Sequence, residues 1–142
     1  MSCRAYATIG YGVNTRDKSP SIESLLQLVS FTTNCRGRLE RHLASEGISN
    51  PTLEDIEGFD DEYSLSRFIA MCINEIEGTT GFYGMENEGD GYLIFLEGLP
   101  CEFNSKEKEL TYEMLDDMLN KYTGLLFGET FEVERQTIIE YG

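Results

Sequence analysis

The sequence predicts an α+β fold: a single domain in which a mainly antiparallel sheet of about four strands packs against three helices. Three observations lead to this prediction. The chain has 142 residues and 40 % hydrophobic content, which suits one acidic domain spanning residues 1–142. Short segments of alternating character occur near both ends and in the middle of the chain. Longer segments with apolar residues at helical spacing lie between them.

The first two predicted elements are a strand and a long helix. Residues 4–13 alternate small, aromatic and β-branched side chains, which is the pattern of a strand. Ser19-Pro20 has the form of an N-cap followed by Pro at the first helical position, so we expect a helix over residues 20–45. Residues 31–37 weaken its middle and favour a break there, and Gly47 ends it.

The middle of the chain predicts a short helix, a longer helix and a hairpin. Thr52 and Asp55 have the spacing of a capping box. Apolar residues recur at helical spacing over residues 62–77, and Gly78 follows as a terminator. Residues 81–97 form two arms around an acidic, Gly-rich turn at residues 88–91, which indicates a β-hairpin.

The last two predicted elements are a helix over residues 106–122, stopped by Gly124, and a strand over residues 131–141. Near the start of the chain, Gly10 and Gly12 interrupt the first strand, and we expect them at close-packed positions. No apolar run approaches the ~20 residues that a membrane span needs, so we expect no membrane partner.

Acidic residues dominate the chain and are concentrated in its middle. The formal net charge is −15. Residues 43–104 hold fourteen acidic residues and one basic residue, Arg67, whereas residues 1–42 hold six basic and three acidic ones. A dense negative field attracts basic protein surfaces and repels nucleic acid and anionic membranes. We therefore expect a partner with a basic surface, and no direct binding of nucleic acid.

The cysteines and the N-terminus indicate an intracellular protein. The four cysteines lie far apart in the sequence and form no C-x-x-C pair, which argues against a zinc ribbon or a thioredoxin-type site. The first residues show no apolar signal segment. We therefore expect a cytoplasmic protein with reduced, mostly buried cysteines.

The sequence shows no catalytic constellation. His42 is the single histidine and follows Arg36, Arg38 and Arg41 in the predicted helix, where cations suit a helix C-terminus. Residues 86–97 have a spacing like that of an EF-hand loop, but their flanks predict strands, so weak cation binding by this turn is only an alternative. We therefore expect no enzyme activity, no metal site and no cofactor.

These features favour a protein that inhibits by binding. We expect its acidic surface to occupy a basic, nucleic-acid-binding groove of another protein, as anti-CRISPR and anti-restriction inhibitors of phages do as a class. The similarity is one of charge and size alone. The candidate partner-binding residues are the acids of three segments, namely Glu54, Asp55, Glu57, Asp60, Asp61, Glu62, Glu86, Glu88, Asp90, Glu113, Asp116 and Asp117.

Three alternatives stay open. If the charge only keeps the protein soluble, the acidic residues have no partner. A small-ligand-binding module or an enzyme would use a pocket near Gly10 and Gly12, lined by Tyr11, Tyr83 or Tyr92. A structural, oligomerising protein would pair an exposed edge strand at residues 131–141 with a second copy of the chain.

Overall fold

Four strands and five helices occur in the computed structural model of the protein, which describes residues 4–57, 59, 64–97, 107 and 109–141. In chain order they are β1 (Ala5–Arg16), α1 (Ile22–Ser30), α2 (Asn34–Ser45), α3 (Leu53–Glu57), α4 (Leu65–Glu77), β2 (Phe82–Asn87), β3 (Asp90–Leu96), α5 (Tyr112–Phe127) and β4 (Glu134–Tyr141). The strands form one sheet in the order β2-β3-β1-β4, and all neighbours are antiparallel. The predicted α+β class with a four-stranded antiparallel sheet is confirmed, but the described residues form five helices rather than the predicted three.

The helix predicted over residues 20–45 is divided into α1 and α2, as its weak middle indicates. The hydroxyl of Thr32 donates to the backbone carbonyl of Val29 at 2.7 Å, so the chain turns away at the end of α1. The N-cap of α1 is Ser21 rather than the predicted Ser19, because the Ser21 hydroxyl is the group that accepts a backbone N–H of the first turn.

A carboxylate from α4 caps the start of α2, whose own N-cap residue Thr33 provides no side-chain bond. The Glu75 side chain accepts the backbone N–H groups of Thr33, Asn34 and Cys35, the last two at 3.0 Å. Burial raises the pKa of Glu75, but these three donors outweigh burial and hold the pKa below its usual value. The charge of Glu75 therefore binds α2 to α4.

The main core lies on one face of the sheet. α4 and α5 pack on this face, and α1 contacts both helices. Leu93 and Phe95 of β3, with Val13 of β1, meet the apolar faces of these helices. The side chains alternate along each strand, so neighbouring residues such as Ile94 point to the opposite face.

The opposite face holds a second, smaller cluster, to which strands alone contribute within the described ranges. Met85, Ile94 and Ile138 are buried there, although β2 and β4 are the two edges of the sheet. The Asn87 side-chain amide of β2 donates to the Ile139 carbonyl of β4 at 3.1 Å. The sheet therefore curls until its two edge strands, β2 and β4, come into contact, and the curl buries the cluster.

Glycines in β1 allow this curl. A Cβ atom on Gly12 would lie 2.1 Å from the carbonyl oxygen of Leu93 and 2.6 Å from the Cα atom of Ile94, and one on Gly10 would lie 2.7 Å from the carbonyl oxygen of Phe95. Side chains at these positions would push β1 away from β3. The predicted close packing of Gly10 and Gly12 is present.

Two predicted boundaries of α5 are wrong. The helix begins after Thr111, whose hydroxyl accepts the N–H of Met114, and not at residue 106. It passes Gly124 and ends at Gly128, which adopts the left-handed conformation with φ 68°. Buried side chains on both sides of Gly124, Tyr122 and Leu126, outweigh its low helix propensity. No helix in the described part of the chain has the length and apolar character needed to cross a membrane.

The two glycines Gly12 and Gly124 give a matched test of the sheet geometry. Gly12→Ala should lower the free energy of unfolding by roughly 3 kcal/mol or more, because the new Cβ meets backbone atoms. Gly124→Ala should raise it by about 0.5–1 kcal/mol, because nothing lies within 4 Å of the new atom and Ala favours a helix. Urea unfolding measures both values, and equal effects would contradict the proposed close approach.

The Glu75 cap predicts a pH-dependent stability. Because the pKa is lowered in the fold, the charged carboxylate stabilises the protein above the pKa of an unfolded Glu, about 4.3, and this stabilisation disappears as the pH falls through the folded-state pKa. Glu75→Gln should therefore lower the free energy of unfolding by about 0.5–2 kcal/mol at neutral pH. The difference from the unmodified protein should shrink below about pH 4, and a difference independent of pH would contradict this assignment.

Candidate functional site

One end of the sheet gathers several charged segments, and we call it the hairpin end. It consists of Arg16 at the end of β1, the β1–α1 connection (residues 17–21), α3, the first turn of α4 and the turn between β2 and β3. A cleft of about 140 Å³ opens there. Its floor is apolar and its rim is charged; the lining includes Leu65, Ile69, Leu93, Arg16, Asp17, Lys18, Glu57 and Glu86.

The turn between β2 and β3 places Glu88 at the tip of the hairpin. Asn87 and Asp90 are paired, so the turn has only two central residues rather than the predicted four. Glu88 and Gly89 have φ values of 52° and 88°, as in a type I′ turn. The left-handed conformation costs a non-glycine residue such as Glu88 about 1–2 kcal/mol. Glu88 is exposed and strained at the tip of the hairpin.

A second strained residue lies close by. The pairing of β1 with β3 is irregular between Asn14 and Arg16, and Arg16 has a φ of 56°. The side-chain oxygen of Asn14 accepts the Arg16 N–H at 2.7 Å, which stabilises this kink. Within the described residues, Arg16 and Glu88 are the non-glycine residues with positive φ, and both lie at the hairpin end. Backbone strain of this kind concentrates at functional sites.

The acids of α3 divide into a bound residue and two free ones. Asp55 accepts the N–H of Thr52 at 2.8 Å, and the Thr52 hydroxyl accepts the N–H of Asp55 at 3.4 Å. The predicted capping box is therefore present. Glu54 and Glu57 of the same helix are exposed and make no ion pair with the described residues. Asp60, Asp61 and Glu62 lie outside the described residues.

The acids of the hairpin likewise divide into two that accept hydrogen bonds and one that accepts none from the part of the chain that the structure describes. Glu86 accepts the N–H of Ser66 at 3.0 Å and so supports the start of α4 beside the N-cap Ser64. Asp90 accepts the side-chain amide of Asn14 at 3.2 Å. Glu88 is exposed and makes no hydrogen bond or ion pair with another described residue. Glu57 and Glu86 line one depression together with Ser64, so the structure brings one acid of α3 and one acid of the hairpin together.

The third predicted group of acids lies elsewhere. Asp116, near the start of α5, accepts the hydroxyl of Tyr11 at 2.6 Å, and this bond, with burial and the Asp116 charge, raises the pKa of Tyr11 to about 12. Glu113 and Asp117 are exposed on the same part of α5. The other end of α5 reaches the cleft at Phe127. At 1.5 Å per residue these acids lie roughly 15 Å or more from it along the helix.

The tyrosines of the alternative ligand pocket do not share one pocket. Tyr11 lies on the helix-covered face, where its ring centroid is 4.5 Å from that of Tyr112. Tyr83 and Tyr92 lie on the opposite face beside the second cluster. Tyr11 therefore cannot line the same pocket as Tyr83 or Tyr92, and a pocket that uses one of these faces stays a prediction.

Basic residues of α2 and of the cleft make different contacts, and the contact at the cleft was missed by sequence reasoning. On α2, the Arg38 guanidinium and the His42 ring pack against Phe59, at 6.0 Å and 5.5 Å between group centres. At the cleft, Lys18 pairs with Glu129 at 2.5 Å. No sequence signal joins residues so far apart in the chain. Within the described ranges, no group of three potential ligands is suited to hold a metal ion.

Comparison of the chain with protein-family models, curated proteins and solved structures gave no match. The case for a site therefore depends on the geometry of the hairpin end.

The division between bound and free acids is testable with Glu86 and Glu88, two residues apart in the hairpin. Glu86→Ala should lower the free energy of unfolding by about 0.5–2 kcal/mol, because the Ser66 N–H at the start of α4 loses its acceptor. Glu88→Ala should change it by less than about 0.5 kcal/mol, because Glu88 bonds to no other residue in the described part of the chain. Thermal or urea unfolding distinguishes them, and an equal loss in both variants would contradict the division.

Proposed function

We propose that the hairpin end binds a basic groove of another protein and that the protein acts as a non-catalytic inhibitor of a nucleic-acid-handling partner. The observation that carries this proposal is the concentration, at one end of the molecule, of exposed carboxylates that make no ion pair with the described residues, namely Glu54, Glu57 and Glu88. The inhibitors of anti-CRISPR and anti-restriction type encoded by phages act in this manner as a class. A nucleic-acid-handling partner implies a cytoplasmic location.

Electrostatics explains how such a surface competes with nucleic acid. A groove that binds phosphates is lined by Arg and Lys, and a carboxylate pairs with Arg through two parallel hydrogen bonds, as a phosphate does. Opposite potentials steer the two proteins together before contact, so association is fast at low salt and slows as salt rises. The free carboxylates of the hairpin end have the charge that this competition requires.

The conformation of Glu88 supports the location of the surface. Asn or Gly at this turn position would adopt the positive φ at lower cost. A charged residue at the exposed tip costs stability and gains no contact within the described chain. Such a residue is explained if its carboxylate is needed by a partner.

Self-association through β4 is a second candidate. Tyr6, Ile139 and Tyr141 expose 45–72 % of their surface near this edge strand, which favours contact with another copy. However, the Asn87 amide already occupies the Ile139 carbonyl of β4, which an added strand would need. Light scattering after size exclusion separates a dimer from a monomer.

Charge reversal tests the proposed surface. The triple variant Glu54→Lys, Glu57→Lys, Glu88→Lys changes the free acids and leaves the capping residues Asp55 and Glu86 in place. The matched control reverses three exposed acids at the other end of the molecule, Glu109, Glu113 and Asp117. Both variants have the same net charge, so a difference between them reports the location of binding and not the total charge.

The measurement is capture of proteins from nuclease-treated host lysate, quantified by mass spectrometry with and without competing DNA. The unmodified chain and the α5 control should capture the same basic partner, and added DNA or salt should release it. The hairpin-end variant should capture roughly tenfold less, a change of about 1.4 kcal/mol. Equal capture by both variants, or capture that DNA does not affect, would contradict the proposal.

A further inference from the structure

Two cysteines from different helices meet at the Glu75 cap. Cys35 lies in the first turn of α2 and Cys72 lies in α4, and both are buried with free thiols. Glu75 follows Cys72 by three residues, so both side chains share one face of α4. Because Glu75 accepts the Cys35 N–H at 3.0 Å, the first turn of α2 is held against the part of α4 that carries Cys72.

The two thiols are neighbours in the core and are chemically unequal. A hydrogen bond from Cys72 lowers the pKa of Cys35, and the charge of Arg38 acts in the same direction, whereas burial and Glu75 oppose them. The same contact and burial raise the pKa of Cys72. Cys35 therefore provides the thiolate of the pair, and Cys72 keeps its proton.

Cys35 is also the more accessible of the two thiols. Cys35 is 5 % exposed and lies between the exposed residues Asn34 and Arg36, whereas Cys72 is 0 % exposed. A small oxidant therefore reaches Cys35 first, when the first turn of α2 opens locally. The Glu75 cap opposes this opening, because three backbone N–H groups must leave the carboxylate.

We propose that Cys35 and Cys72 form an oxidative modification site, in which hydrogen peroxide converts the two thiols into a disulfide that joins α2 to α4. The Cys35 thiolate attacks one peroxide oxygen, which yields a sulfenic acid and, after protonation, one water. The Cys72 sulfur then attacks the Cys35 sulfur, forms the S–S bond and releases the second water. The two thiols lose two electrons in total, and one peroxide takes them up.

The disulfide would enclose residues 36–71, a segment that contains α3 with Glu54 and Glu57. Oxidation would therefore tie the segment that carries these acids to the core by a covalent bond. The inference does not depend on the proposed inhibitor function, since it concerns the chemistry of the two thiols alone.

The test uses a chain in which Cys3 and Cys101, which lie outside the described residues, are replaced by Ser. Stoichiometric hydrogen peroxide should lower its intact mass by two hydrogen atoms, and dithiothreitol should reverse the change. A non-reducing digest should yield one peptide that links residues 35 and 72. Addition of Cys72→Ser should abolish the link and leave Cys35 with one or more added oxygen atoms.

A second pair of variants tests the role of the cap. Glu75→Gln should speed disulfide formation several-fold, because it weakens the contact that shields Cys35. Glu23→Gln, an exposed acid in the first turn of α1, should leave the rate unchanged. A non-reducing digest of the oxidised chain without any substitution should also yield the peptide that links residues 35 and 72. Links that join Cys3 or Cys101 in place of the 35–72 pair, or oxygen addition without a link, would overturn the proposal.

Discussion

The close approach of β1 and β3 is the constraint on which the rest of the structure depends. With no side chains at Gly10 and Gly12, the backbone of β3 lies where Cβ atoms would otherwise be. The sheet can then curl, bury Ile94 and Ile138 without a covering helix in the described chain, and bring Asn87 to the opposite edge. At the edge of the sheet, Gly84 lets β2 approach the start of α4 closely, since a Cβ atom there would lie 1.8 Å from the Ser66 carbonyl oxygen, and Glu86 binds the Ser66 N–H. The hairpin end is therefore a product of the sheet geometry.

The acidic residues have two distinct roles in this fold. Some carboxylates hold the structure together: Asp55, Glu75 and Glu86 accept backbone N–H groups at helix starts, where the helix dipole favours negative charge. Glu54, Glu57 and Glu88 accept no backbone N–H group from the residues that the structure describes, and they are exposed. A net charge of −15 alone does not separate these roles. The geometry narrows the candidate binding surface to the second set and removes the α5 acids from it by distance.

Local signals in the sequence were sufficient for part of this account. The capping box of Thr52 and Asp55 was predictable because both partners lie within one turn of chain. The break between α1 and α2 was predictable from residues with low helix propensity. The Glu75 cap, the bond from Tyr11 to Asp116 and the contact of Cys35 with Cys72 were not, because each joins residues 37 or more positions apart. The prediction that Gly124 ends α5 was wrong, because the packing of the buried side chains around it outweighs the low helix propensity of one glycine.

The central claim is that the free carboxylates of the hairpin end form the binding surface. The most direct measurement is NMR mapping of backbone amide shifts while an Arg-rich peptide, a probe for a phosphate-binding groove, is added at physiological salt. The account predicts that the largest shifts occur at Glu54, Glu57 and Glu88 and that added salt removes them. The largest shifts at Glu113 and Asp117, or equal shifts over all exposed acids, would contradict it.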